Sequence, residues 1–277
     1  MILKKIFNYF LGILKDPELF LMTTYVRTLG QKIDRSRFKN VNNSNSVDSI
    51  IKNGFFFFKK PIISSFDCNE MIKMYLSSVG VSLESITNGT SQNVRLPGIH
   101  SSGQVNCPSA IIARNKELVD CASQFLGLSE NKLFVSASID VSPVVNKDIT
   151  SNLDGSDGAF RFHRDIDGYR FIKMFIYLVD VKNDDCGHHE YVPGTSLNLP
   201  GSIKSRLPKR YTEKEILKLY VGTQVVKQFA SKGYCFAEDT TGFHRGSISK
   251  ENPRFMLSLC YGDREMKRRY GDDYFKI

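Results

Sequence analysis

The sequence predicts a mainly β domain with flanking helices (α+β), its strands gathered in the second half of the chain. Three observations carry this. From residue 133 onward, short apolar runs alternate with turn signals, which suits a sandwich or barrel. Before that point helical periodicity and capping residues dominate. The chain has 277 residues, enough for one sizeable core, and its 41% hydrophobic and 24% charged residues are the balance of a globular protein. Early helices followed by a run of strands suit a double-stranded β-helix (jelly roll, cupin-like) core buttressed by N-terminal helices. The expected division is a helical extension and linker over 1–50 and the β-helix domain over 51–277.

Taken in order, residues 1–40 read as helical with a break near Asp16-Pro17. Asn40 to Ser49 is rich in Asn and Ser and reads as a loop. Gly54 to Pro61 is a short apolar run closed by proline, a strand. Ser65 to Ser78 is a helix, with Ser65 and Asp67 as caps and Glu70 at capping-box distance from Asp67. Residues 85–108 are irregular. Ala113 to Leu126 is a helix closed by Gly127, and Leu133 to Val141 is a strand. Further strands are expected over 159–163, 171–181, 188–192, 223–229, 233–237 and 255–261, with a helical insert at about 212–220. Val192-Pro193-Gly194-Thr195 and Ser231-Lys232-Gly233 supply turns.

The net charge of +9 is concentrated: residues 1–40 carry +5 and residues 201–220 carry +4. A local excess of this size favours an anionic small molecule or surface. It lacks the dense Lys/Arg runs of a nucleic-acid arm, so no nucleic-acid partner is expected. Lys204, Arg206, Lys209 and Arg210 are candidates to meet phosphate, carboxylate or an acyl-carrier group, against the plain reading of a solvated insertion. Six cysteines, at 68, 107, 121, 186, 235 and 260, include no Cys-x-x-Cys spacing, which argues against a zinc knuckle or redox pair and fits a reducing, cytoplasmic setting. The apolar segment 1–14 is too short to span a bilayer. Leu3, Ile6, Phe10, Ile13 and Leu14 share one helical face, so the segment either packs on the domain or contacts a membrane surface peripherally.

The chemistry is concentrated in a few residues. His163-Arg164-Asp165 is followed by His244 and then, ten residues on, by Arg254. On a strand, residues two apart project to one face, so His163 and Asp165 point together if a strand continues through them. Two imidazoles and one carboxylate occupy one face of an octahedron and leave three positions open, the ligand set of non-haem Fe(II) oxygenases. Zinc accepts the same set, so the triad alone leaves the metal open. Arg254 opens the last strong strand, where an inward guanidinium can grip a carboxylate in bidentate fashion.

Four stretches resemble the phytanoyl-CoA dioxygenase-like family of Fe(II)/2-oxoglutarate oxygenases. They are Phe162-His163-Arg164-Asp165, the strand Phe171 to Asp180, Glu190 to Ser196, and Asp239 to Gly246 continuing to Arg254. The likeness runs from about Gly54 to Gly262. It implies that His163, Asp165 and His244 ligate Fe(II), that Arg254 binds the C5 carboxylate of the co-substrate 2-oxoglutarate, and that Lys173 and Phe175 line its pocket. The activity implied is a dioxygenase reaction with O2, in which oxidative decarboxylation of 2-oxoglutarate to succinate and CO2 drives hydroxylation of a small-molecule substrate, anionic or lipid-like. The retained Asp165 speaks against halogenation, since a halide needs the position that carboxylate fills. Family members place a hydroxyl residue two after the last histidine. Here Gly246 stands there, which leaves Ser247 and Ser258 as alternatives for assisting Arg254.

Two other readings compete: a non-catalytic jelly-roll binding module at a membrane surface, and a metal-dependent cupin-type enzyme that does not use 2-oxoglutarate. His188-His189 beside Asp184-Asp185 reads as an exposed turn entering a strand.

Overall fold

The computed structural model describes residues 16–29, 45–87, 108–142, 144, 160–198, 210–263 and 274–277. The segment 1–14, most of 85–108 and Lys204, Arg206 and Lys209 of the basic insert lie outside the described residues. Helix α1 spans Pro17–Leu29 and α2 Asn45–Asn53, followed by strand β1, Phe55–Phe57. Helices α3 (Ser65–Val79), α4 (Leu83–Thr87), α5 (Pro108–Ala113) and α6 (Lys116–Leu126) come next. Strands β2 (Phe134–Ser142), β3 (Phe171–Tyr177) and β4 (His189–Tyr191) precede helix α7 (Glu213–Leu219). Strands β5 (Val226–Gln228), β6 (Cys235–Glu238), β7 (His244–Gly246), β8 (Arg254–Gly262) and β9 (Phe275–Lys276) complete the order. Among the described residues no helix is long and apolar enough to cross a membrane.

All strand pairs within the two sheets are antiparallel. One sheet has the order β1-β6-β3-β8-β2-β9 and the other β5-β4-β7. The helices cover one face of the larger sheet. Val47 and Ile50 of α2, Met71 and Tyr75 of α3, and Leu118 and Phe125 of α6 pack against Ile172, Met174 and Ile176 of β3 and against Leu257, Leu259 and Tyr261 of β8. The alternate residues of those strands, Lys173, Phe175 and Tyr177 on β3 and Arg254, Met256 and Ser258 on β8, must then point to the opposite face. Because both faces are covered, every residue of β3 and β8 is buried. That alternation turns a continuous apolar run into a core face and a site face.

The structure departs from the sequence reading in several elements. Asn45–Asn53 is a helix and not part of a loop: Ser46, Val47 and Ile50 fall on one buried face, which outweighs the poor helix propensity of Asn and Ser. The helix expected from Ala113 begins only at Lys116, where Asn115 caps α6 by accepting from the Glu117 backbone N–H; Ala113 instead ends α5. Helix α3 is capped by Ser64, whose hydroxyl accepts from the Asp67 backbone N–H. No regular strand runs through the described part of 159–163. Phe162 and His163 make isolated bridges, to Tyr211 and His244.

Leu259 lies mid-strand in β8, fully buried under the helices. Leu259→Ala is expected to cost about 2–5 kcal/mol in denaturant unfolding, with the slope of the transition unchanged.

Candidate functional site

His163 and His244 meet through the backbone. Each donates its N–H to the other's carbonyl at 3.0 Å, a hydrogen-bonded antiparallel pair in which both side chains emerge on the same face. The ring centroids lie 4.4 Å apart. On its other side, Phe162 exchanges a similar pair of bonds with Tyr211. The Asp165 backbone N–H donates to Thr240 O at 2.8 Å, which ties the segment to the loop just before His244. Asp165 therefore reaches the histidines without a continuous strand. One ligand atom from each of His163, Asp165 and His244 lies within 4.8 Å of the others. His163 Nδ1 donates to Arg161 O at 2.8 Å and His244 Nδ1 to Gly242 O at 3.1 Å, which leaves both Nε2 atoms turned toward Asp165. These three side chains are suited to hold a divalent cation.

Among the described residues, the carboxylates of Asp165, Asp167 and Glu238 and the ammonium of Lys173 surround this point. Lys173 Nζ lies 2.6 Å from Asp165 and 2.7 Å from Asp167. Burial works to raise the Asp165 carboxyl, but Lys173 and the two imidazoles outweigh it and hold it well below the usual carboxylate range. Burial, with the neighbouring His244 and the charge of Arg210, pushes His163 down to about 3. Burial also opposes protonation of His244, yet Asp165 and Glu238 reverse the balance and its pKa is raised. The neighbouring carboxylates thus favour positive charge at His244, the side chain that would face a metal ion.

Arg254 is buried on the same inner face, opposite Ser142 in the register of β2 and β8. Its Nη1 donates to Gly187 O at 2.8 Å and its Nη2 to Ser142 Oγ at 2.7 Å, both neutral oxygens. Its Nε is buried with no hydrogen-bond partner. A buried guanidinium with a spare donor and neutral partners is a fitting receptor for a carboxylate ligand. The supporting hydroxyl thus comes from Ser142 on β2. Ser247 instead lies 3.1 Å from His188 Nδ1.

Around His244 stand further residues, of which the sequence reading named only Phe175. His189 stacks on His244 at 5.4 Å and 20°, and its Nε2 lies 3.1 Å from Glu238. Gln228 Nε2 donates to the other Glu238 oxygen at 3.0 Å. Phe175 packs on His189 at 5.0 Å. Tyr177 accepts from the His189 backbone N–H and donates to Gln228 O, each at 2.9 Å. The expected exposed turn at His188-His189 is therefore wrong, since both residues are buried. Alternation along 188–191 carried the signal: of two adjacent histidines entering a strand, one must face inward.

The other face of β4 and β7 holds a second network. His188 Nε2 lies 2.9 Å from Glu190, and Arg245 binds Glu190 at 2.6 Å and Glu213 of α7 at 2.7 Å while lying 4.3 Å over the Phe162 ring. Burial would raise the Glu190 carboxyl, but hydrogen bonds from His188 and Arg245 lower it. This network clamps α7 and Phe162 onto the strand that carries His244. Arg210 precedes Tyr211, the partner of Phe162, so the bridge places it opposite His163.

Neither a protein-family model nor a curated protein matches the chain. Solved structures do. The chain is similar to EctD from S. alaskensis with bound Fe, at 16% identity and a TM-score of 0.56, covering 81% of this chain and 78% of that one. EctD with 2-oxoglutarate and 5-hydroxyectoine aligns at 17% identity and 0.54, with the same coverage. SnoN from nogalamycin biosynthesis, a non-heme alpha ketoglutarate dependent epimerase, aligns at 16% identity and 0.50, covering 79% and 82%. At these identities the likeness is one of fold.

Two outcomes test the site. A methyl group at Gly242 would sit inside the van der Waals radius of the Tyr191 hydroxyl. Gly242→Ala should therefore destabilise the protein by about 1–3 kcal/mol in thermal unfolding and displace the carbonyl that fixes His244. Because a ligating imidazole must be neutral, Co(II) affinity measured by calorimetry should fall as the pH drops through the raised His244 pKa and recover above it.

Proposed function

We propose that the chain is an Fe(II)- and 2-oxoglutarate-dependent oxygenase that hydroxylates a small-molecule substrate. One observation carries the reading: two imidazoles and a carboxylate converge within 4.8 Å on the same inner face as a buried arginine with an unengaged Nε. His163, Asp165 and His244 would hold the iron, and Arg254 would hold the C5 carboxylate of 2-oxoglutarate. The two antiparallel sheets, with the site between them, are read as a double-stranded β-helix of residues 51–277, preceded by the helical extension 1–50. The similarity in fold to EctD, solved with Fe and with 2-oxoglutarate, and to SnoN, an alpha ketoglutarate dependent epimerase, supports the class. The four stretches around His163, Phe171, Pro193 and His244 support placing it nearest the phytanoyl-CoA dioxygenase-like branch.

Iron and 2-oxoglutarate, when bound, would supply the oxidising power, with succinate and CO2 as the co-products of O2 reduction. The chain's own residues position and protect. Lys173 neutralises the Asp165 oxygen nearest it and keeps the carboxylate ionised for ligation. Gly242 O and Arg161 O fix the tautomers that present each Nε2. Phe175, Phe236 and Met256 form an apolar wall that excludes water from the interior. Arg210 is exposed and stands opposite His163 across the bridge, where its charge would favour an anionic group on the substrate.

Anaerobic protein titrated with Fe(II) and 2-oxoglutarate should develop the charge-transfer absorption of a chelated 2-oxo acid. Asp165→Ala should abolish it through loss of iron. Arg254→Ala should retain iron and weaken 2-oxoglutarate binding by about 10-fold or more, the scale of a lost charged hydrogen bond. Folded, iron-loaded protein that shows no such band would refute the reading.

A further inference from the structure

We propose that Glu238 and His189 are positioning residues for His244, a buried carboxylate–imidazole pair that sets how strongly and in what geometry the triad holds its metal. The proposal rests on the metal reading of His163, Asp165 and His244 and adds residues that reading does not use. Glu238 is fully buried near the end of β6. A carboxylate at such a place persists only where partners replace its water. Its Oε1 lies 3.1 Å from His189 Nε2 and 3.9 Å from His244 Nδ1, and its Oε2 accepts from Gln228 Nε2 at 3.0 Å. The negative charge thus stands behind the nitrogen of His244 that faces away from the metal position. There it favours the Nδ1–H tautomer already donated to Gly242 O and makes the opposite nitrogen a stronger donor to a cation.

His189 supplies the steric half. Its ring lies nearly parallel to that of His244, at 20°, and Phe175 packs on it at 33°. A stacked ring of this kind leaves His244 no room to tilt. Glu238 holds His189 by Nε2, and the Tyr177 hydroxyl holds its backbone N–H, so the stack is anchored at both ends. Neither Glu238 nor His189 is among the three ligand residues. Apolar side chains of similar size would fill the same space without burying a charge.

The test compares wild type, Glu238→Gln and His189→Gln, loaded with Co(II) under anaerobic conditions, by affinity and by ligand-field absorption. Glu238→Gln keeps the shape and an acceptor for His189 while removing the charge. His189→Gln keeps a donor for Glu238 while removing the stacked ring. About 10- to 100-fold weaker Co(II) binding in Glu238→Gln, and shifted ligand-field bands in both variants, are expected, with metal-free thermal unfolding near that of wild type in His189→Gln. Wild-type affinity and unchanged bands in both variants would overturn the proposal while leaving the metal reading intact. If Glu238→Gln does not fold, the bands of His189→Gln alone decide the question. Wild-type protein that takes up no Co(II), or takes it up equally after Asp165→Ala, would overturn the metal reading and the proposal with it.

Discussion

The backbone pair between His163 and His244 is the interaction on which the rest of the site depends. Two 3.0 Å hydrogen bonds join segments far apart in the chain and, by the rule of antiparallel pairing, put both imidazoles on one face. Everything else in the site is referenced to that pair. The Thr240 carbonyl holds Asp165 beside it, and the Phe162–Tyr211 exchange extends it to the segment entering α7. A slip of one residue at this bridge would turn one imidazole away and dissolve the triad.

The surrounding structure guards that register from both sides. On the inner face, His189 stacks on His244 and Lys173 binds Asp165. On the outer face, Arg245 ties Glu190 and Glu213 together over the Phe162 ring. Tyr191 threads between Gly54 and Gly242, with its hydroxyl donating to Asp239 O, so the loop that carries the Gly242 carbonyl is packed against a rigid ring. Any side chain at Gly54, where φ is +95°, would meet that ring. The metal face is thus built on short elements held by side-chain packing and charge as much as by the sheets.

Electrostatics gives the site its direction. Burial opposes charge on both imidazoles, but Asp165 and Glu238 reverse this at His244, whereas at His163 burial, His244 and Arg210 prevail. Arg254, held by neutral oxygens from Ser142 and Gly187, provides the opposite pole. The inner face thus carries a group of side chains suited to a cation and, separately, a buried cation of its own.

Much of this was legible in the sequence. Short apolar runs over 171–181 and 255–261 marked the long strands, and helical character at about 212–220 marked α7. The triad residues and Arg254 stood out because their residue types are costly to bury without a task. What the sequence by itself determined was therefore local: element type where periodicity was strong, and the identity of chemically specialised residues. It did not reveal the helix at Asn45–Asn53, where burial of Val47 and Ile50 overrides weak propensity. Nor did it show that Ser142 supports Arg254, or that His189 and Glu238 stand behind His244. Those are relations between strands, decided by register across the sheets. Register is a property of the pairing of distant segments, and only the tertiary structure decides it.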